Sequence, residues 1–273
     1  MAVVRNWTPS LREEDGSSLP PTASSRERYA HEPQDRRHRF AAVGTKVTGR
    51  DNQRWLKMWR NDQTDFHQLQ VNPLLIRFWA SLDLKRPSAI FVPLCGKSLD
   101  LLWLAQQGNR VIGVELSPVA VKAFFEETGL IPRKSKRGDF TLWQSGRIKI
   151  LCGDFFRLAE SDVGEIDVVY DRAALTALPE DLREQYVAHL RHILPLSCSI
   201  FLLTTEDANP AADTDILQGL NGAVDGEIKS LYENHFDIEI AHAESGSVSD
   251  LTGPGENNIS VEQKVYRLTP RAD

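Results

Sequence analysis

The chain has 273 residues, 41% of them hydrophobic and 26% charged, with 17 Gly, 14 Pro and 3 Cys. These proportions suit a soluble globular protein and exclude collagen-like, coiled-coil and wholly disordered classes. Lys and Arg number 32 against 38 Asp and Glu, and a net charge of −6 argues against recognition of nucleic acid by phosphate neutralisation.

Residues 1–48 are poor in large apolar side chains and rich in Ser, Pro, Arg and His. Such a segment buries too little to offset a backbone ordering cost of about 1–2 kcal/mol per residue. It reads as a mobile basic arm, either a solvated tail or a segment that closes over a ligand. Residues 49–273 read as one domain. Leu74, Leu75, Phe78, Trp79 and Leu82 follow Pro73 at helical spacing. Strand-like Ala89–Leu94, helical Ser98–Gln107, strand-like Arg110–Glu115 and helical Pro118–Thr128 come next, the last stopped by Gly129. A hairpin is expected over Phe140–Trp143 and Ile148–Leu151. Strand Ile166–Tyr170, helix Glu180–Ile193 and strand Ser199–Thr205 continue the alternation. A helix at Ala223–Tyr232 and strands Asp237–Ala243 and Ser260–Leu268 complete it. The pattern predicts an α/β fold, with a mostly parallel sheet, an antiparallel C-terminal strand and helices on both faces.

Apolar runs are far too short to span a bilayer of roughly 30 Å, and residues 1–20 hold no apolar signal core. Cysteines 95, 152 and 198 have neither a disulfide framework nor metal-ligand spacing. A cytoplasmic protein with no metal, no membrane and no nucleic-acid partner is expected, as a monomer or weak homodimer acting on a small molecule.

In a parallel sheet the ligand binds beyond the carboxyl ends of the strands, at the topological switch point. Four strand ends carry chemistry. The first is Phe91-Val92-Pro93-Leu94-Cys95-Gly96-Lys97-Ser98, which has one glycine and so lacks the repeated close approach that a pyrophosphate needs. Gly96-Lys97-Ser98 mimics the end of a P-loop, but Phe91 stands where that loop requires glycine. The second is Glu115, nineteen residues after Gly96, whose carboxylate can accept both hydroxyls of a ribose. The third is Asp154-Phe155, an acceptor for an adenine amino group beside a ring that can stack on the base. The fourth is Asp171-Arg172, either facing the pocket or forming a structural ion pair. Together they describe a phosphate-free nucleoside with an amino-acid tail, which S-adenosylmethionine is.

These blocks carry a resemblance to the thiopurine S-methyltransferase family, within the Rossmann-like methyltransferases. They include Trp55-Leu56-Lys57-Met58-Trp59, Phe66-His67-Gln68, Pro93-Leu94-Cys95-Gly96-Lys97-Ser98, Gly113-Val114-Glu115-Leu116-Ser117 and Asp171-Arg172-Ala173-Ala174-Leu175. The resemblance implies that Trp55 and Trp59 line the cofactor pocket. It places Leu94 and Gly96 along the methionine moiety, Glu115 at the ribose, and Asp154 and Phe155 at the adenine. Arg172 is placed beside the methyl donor or acceptor as the candidate catalytic residue, with Phe66 on the substrate side. The implied activity is methyl transfer from S-adenosyl-L-methionine to a small thiol or related chalcogen.

The acceptor side departs from the family. A Tyr-Asp pair and a Gly-Pro-Pro-Phe segment are replaced by Thr204-Thr205-Glu206-Asp207-Ala208-Asn209-Pro210, and an arginine-bearing loop by Glu244–Leu251. Thiopurines are therefore expected to be poor substrates. Two other activities stay open. One is cyclisation of the cofactor's own aminobutyryl tail, giving azetidine-2-carboxylate and methylthioadenosine; the other is binding without turnover. His67 reads as a hydrogen-bonded structural histidine, His189 and His192 as solvated, and Cys95 as packing. Trp79, Trp103 and Phe124 read as core.

Overall fold

The computed structural model describes residues 51–64, 66–84, 87–207, 224–250 and 257–271. The expected arm at 1–48 lies outside them. A helix over residues 51–60 (α1) leads to α2 (Pro73–Phe78), which runs into a 3-10 turn at Trp79–Leu82. Asn72 caps α2 by accepting the N–H groups of Leu74 and Leu75, and Pro73 opens it. Next come β1 (Ala89–Val92), α3 (Asp100–Gln106), β2 (Arg110–Glu115), α4 (Pro118–Glu127), β3 (Arg133–Arg137), β4 (Phe140–Ser145) and β5 (Ile148–Cys152). A 3-10 turn at Phe155–Arg157 precedes α5 (Glu160–Val163), β6 (Val168–Arg172), α6 (Ala174–Ala177) and α7 (Glu180–Ile193). The chain closes with β7 (Ser199–Asp207), α8 (Val224–Tyr232), β8 (Phe236–Asp250) and β9 (Asn257–Pro270).

The sheet order is β3-β4-β5-β2-β1-β6-β7-β9-β8. The five middle strands are parallel, and only β4 and β9 run the other way among the described residues. This is the mostly parallel sheet that the alternation predicted. Successive residues of a strand face opposite sides, so a sheet covered on both faces needs continuous apolar runs. Phe91, Ile112, Val114 and Val169 meet Leu182, Tyr186 and Leu190 of α7 and Tyr232 of α8. Their neighbours Ile90, Val92, Val111, Val168 and Tyr170 meet Leu101 and Leu104 of α3, Val121, Phe124 and Phe125 of α4, and Trp79. Each such side chain contributes about 1.5–3 kcal/mol by leaving water.

Three features differ from the sequence reading. The expected hairpin is extended by β3, whose five residues Arg133-Lys134-Ser135-Lys136-Arg137 are all exposed. It has no apolar alternation to betray it, and its charges guard a sheet edge. Its Lys134 ammonium sits 3.5 Å from the centre of the Trp143 ring. The C-terminal strands are also longer than expected, pairing out to Asp250 and Asn257, so Glu244–Asp250 is strand and not loop. Residues 208–223 and 251–256, which hold the rest of the expected acceptor segments, lie outside the described residues. Finally, helix α1 makes an ordered element of the Trp55–Trp59 stretch.

The chain builds β2 on one side of β1 and returns to build β6 on the other. The carboxyl ends of these strands therefore frame a crevice, and α1 lies across it.

Candidate functional site

A cavity of about 180 Å³ opens at these strand ends. Every residue that the sequence nominated lines it: Trp55, Trp59, Phe66, Leu94, Gly96, Glu115, Asp154, Phe155 and Arg172. Asn52, His67, Lys97, Ser98 and Phe156 line it as well. The sequence had not singled these out for the site.

The β1 loop turns sharply. Leu94 and Gly96 both adopt left-handed backbone, at φ +45° and +53°. For leucine that conformation costs about 1 kcal/mol or more, strain of a kind that clusters at functional sites. At Gly96 a side chain is excluded twice over, because a Cβ would also stand 3.2 Å from the Trp59 ring. Ala173, after β6, is the third cavity residue with positive φ, at +60°.

Glu115 ends β2 and is 6% exposed. One oxygen accepts the N–H of Gly96 at 2.8 Å and the other that of Ser117 at 2.7 Å. Each oxygen keeps a lone pair for a further donor. Burial pushes the carboxyl up to about 7, against the pull of the backbone donors.

Asp154 caps the following 3-10 turn through the N–H of Phe156 at 3.0 Å and accepts Asn52 Nδ2 of α1 at 2.9 Å. The two rings beside it divide their roles. Phe155 is 2% exposed and packs against Tyr186, with ring centres 4.9 Å apart. Phe156 is half-buried at the cavity wall, so the second ring of the pair is the more open of the two. His189 corrects another expectation. It is half-buried, packs edge-on to Phe155 and contacts the Phe155 carbonyl at 3.0 Å, holding the turn from behind. His192 is exposed, as expected.

Arg172 does both things that its position allowed. It lines the cavity, and its Nε donates to Asp100 Oδ2 at 2.9 Å while Nη2 donates to Ser98 Oγ at 3.0 Å. The same Asp100 oxygen accepts the Tyr170 hydroxyl at 2.9 Å, and the other accepts the Asn72 N–H at 2.8 Å. Asp171 turns away from the cavity, accepting the N–H groups of Ala174 and Leu175 and the Tyr186 hydroxyl. Cys95 is buried, and a Cβ at Gly113 would lie 2.8 Å from its sulfur. Burial raises its thiol well above the usual range, which suits packing and not attack.

Helix α1 covers the cavity. Trp55 and Trp59 share a helix face. Both stand edge-on to Phe66, with ring centres 5.5 and 5.6 Å apart. The donor set fits a nucleoside without phosphate. It offers paired carboxylates and aromatic rings, one glycine at the turn, and Lys97 already engaged with Glu127.

The fold and the site define an S-adenosylmethionine-dependent methyltransferase. A solved S-adenosylmethionine-dependent methyltransferase from Anabaena variabilis matches with a TM-score of 0.55 at 16% identity, covering 81% of this chain and 95% of that one. The 1,6-didemethyltoxoflavin-N1-methyltransferase of Burkholderia thailandensis, solved with S-adenosylhomocysteine, matches with a TM-score of 0.50 at 17% identity, over 88% and 93% of the two chains. Sequence is more specific. The family model for thiopurine S-methyltransferase matches residues 50–271. A thiopurine S-methyltransferase of Stutzerimonas stutzeri is 56% identical over 226 residues, 82% of this chain and 92% of that protein. One from Azotobacter vinelandii is 41% identical over 218 residues, 80% and 98% of the two chains. The chain belongs to the thiopurine S-methyltransferase family.

Proposed function

We propose that the protein binds S-adenosyl-L-methionine in the cavity under α1 and methylates a small polar thiol or related chalcogen. The observation that carries the reading is the meeting of Gly96, Glu115, Asp154 and Arg172 in one cavity from four separate strand ends. Glu115 accepts the ribose hydroxyls with its remaining lone pairs. Asp154 receives the adenine amino group, with Phe156 against the base. Leu94 and Gly96 pass the methionine portion under Trp59. When bound, the cofactor supplies an electrophilic methyl carbon on a sulfonium.

The protein's task is alignment and exclusion of water. Trp55, Trp59 and Phe66 wall the reacting region, and a dry site favours a step in which opposite charges cancel. Holding the two partners in line supplies several kcal/mol of the barrier reduction. Arg172, fixed by Asp100 and Ser98, presents a cation to an anionic acceptor. The polar run Thr204-Thr205-Glu206-Asp207, where the family carries aromatics, supports a small polar acceptor over a flat heterocycle.

The test is incubation with S-adenosylmethionine alone, with small thiols, and with 6-mercaptopurine, following both nucleoside products by mass spectrometry. S-adenosylhomocysteine should form only with an acceptor. 6-Mercaptopurine should trail in kcat/KM by several-fold to several-hundred-fold, the effect of about 1–3 kcal/mol of missing ring contacts. Efficient 6-mercaptopurine turnover would restore the heterocyclic acceptor. Methylthioadenosine without acceptor would replace methyl transfer by intramolecular displacement.

A further inference from the structure

His67 was expected to be a hydrogen-bonded structural histidine, and its surroundings are different. Its imidazole is half-buried in the cavity wall. No hydrogen bond to it is made by the described residues, whereas its backbone N–H is fixed to Thr64 O at 2.8 Å. The adjoining Phe66 ring, itself 46% exposed, meets Trp55 and Trp59 edge-on. The charged groups facing the imidazole are Lys97, Glu127, Arg172 and Asp100. They come already paired: Lys97 lies 2.6 Å from Glu127, and Arg172 lies 2.9 Å from Asp100. Glu127 and Asp100 still favour an imidazolium, but Lys97 and Arg172 oppose them and burial outweighs them. Burial first, and then Lys97, push the imidazole below the usual histidine value. No other histidine lines the cavity among the described residues.

We infer that His67 is the general base that takes the proton of the acceptor thiol. The inference rests on the thiol-methylating reading above. The S–H bond breaks and its proton passes to an imidazole nitrogen, while the electron pair stays on the acceptor sulfur. That pair forms the new sulfur–methyl bond, and the pair of the breaking methyl–sulfonium bond stays on the departing sulfur, cancelling its charge. The imidazolium then returns its proton to solvent. A neutral, unbonded imidazole suits this task, and the flanking Lys97 and Arg172 favour thiolate while discouraging a lasting imidazolium.

The test compares His67→Gln with the unsubstituted protein on two acceptors. 2-Mercaptoethanol is protonated at neutral pH, and 4-nitrobenzenethiol is already ionised. Against 2-mercaptoethanol, kcat/KM should fall about 10²–10⁴-fold, the span of general-base assistance. Against 4-nitrobenzenethiol it should change less than about three-fold on the same reasoning. The lost activity should return as pH rises toward the thiol's own ionisation. In the cofactor-free protein, NMR should show the His67 imidazole titrating below the usual value of about 6.5. Cofactor affinity of the variant, by calorimetry, should stay unchanged. Equal losses on both acceptors, or none on either, would overturn the assignment. Failure of the unsubstituted protein to methylate either thiol would sink the thiol reading itself, and this inference with it.

Discussion

At the end of β2, Glu115 accepts one backbone N–H at each oxygen and lines the cavity. At the end of β6, Asp171 is fully buried, accepts three donors and is not part of the cavity lining. Both carboxyls are raised by burial, to about 7 and about 6. The difference lies in where each carboxyl faces. Asp171 faces inward, starting α6 and anchoring Tyr186 of α7, whereas Glu115 faces the cavity, where a ligand can reach it. A shifted buried carboxylate at a strand end is thus no evidence of a binding role by itself. The side it faces decides.

The comparison breaks most sharply at Asp171. Asp171→Ala removes the acceptor for two N–H groups of α6 and strands a buried hydroxyl, and should cost about 2–4 kcal/mol in denaturant unfolding. Glu115→Gln should do the reverse, keeping stability near neutrality while weakening cofactor binding by about 1–3 kcal/mol in calorimetry. If Glu115→Gln unfolds the protein and Asp171→Ala spares it, the two roles have been exchanged.

The pH response sharpens the same contrast. Unfolded, Glu115 titrates near the ordinary value of about 4.3, whereas folded it titrates at about 7. The stability conferred by its extra bound proton is complete below the unfolded value and is lost as pH rises through about 7. Ribose hydroxyls donate to the ionised form, so cofactor affinity should move the other way and rise as pH rises through that value. Proton release on binding, read from calorimetry in buffers of different ionisation enthalpy, should accompany it. Both slopes should flatten in Glu115→Gln, and persistent slopes would mean that another group titrates. The smallest effect is expected at the loop between the two strands. Gly96→Ala forces alanine into left-handed backbone against Trp59, for about 1–2 kcal/mol of stability by thermal unfolding. Its cofactor affinity should drop only if α1 is displaced.

The parallel strands were legible because Ile90-Phe91-Val92 and Val111-Ile112 are apolar on both faces, as a covered sheet demands. Gly96, Glu115 and Asp154 were legible for a related reason, since they stand where such strands end. What escaped was decided by distance along the chain. Asn52 meets Asp154 across 102 residues and Arg172 meets Asp100 across 72, and no local pattern announces either bond. Phe156 was hidden by its neighbour, because adjacent rings look alike until burial sends one inward. β3 is a strand made wholly of Arg, Lys and Ser, and apolar periodicity has nothing to detect there. His67 reads as a hydrogen-bonded structural histidine, and spacing cannot display that no described residue bonds its imidazole.

Asp100 sets an order on how the molecule comes together. Its oxygens gather Asn72, Tyr170 and Arg172, closing sequence separations of 28, 70 and 72 residues on one side chain. Closures of that length carry an entropic penalty that local helices do not, and they slow folding. The carboxylate cannot gather all three protein partners until β6 has joined β1. On a ribosome, residues 51–100 therefore emerge before the arginine that pairs with Asp100, and the pocket is completed only after residue 172 has left the exit tunnel.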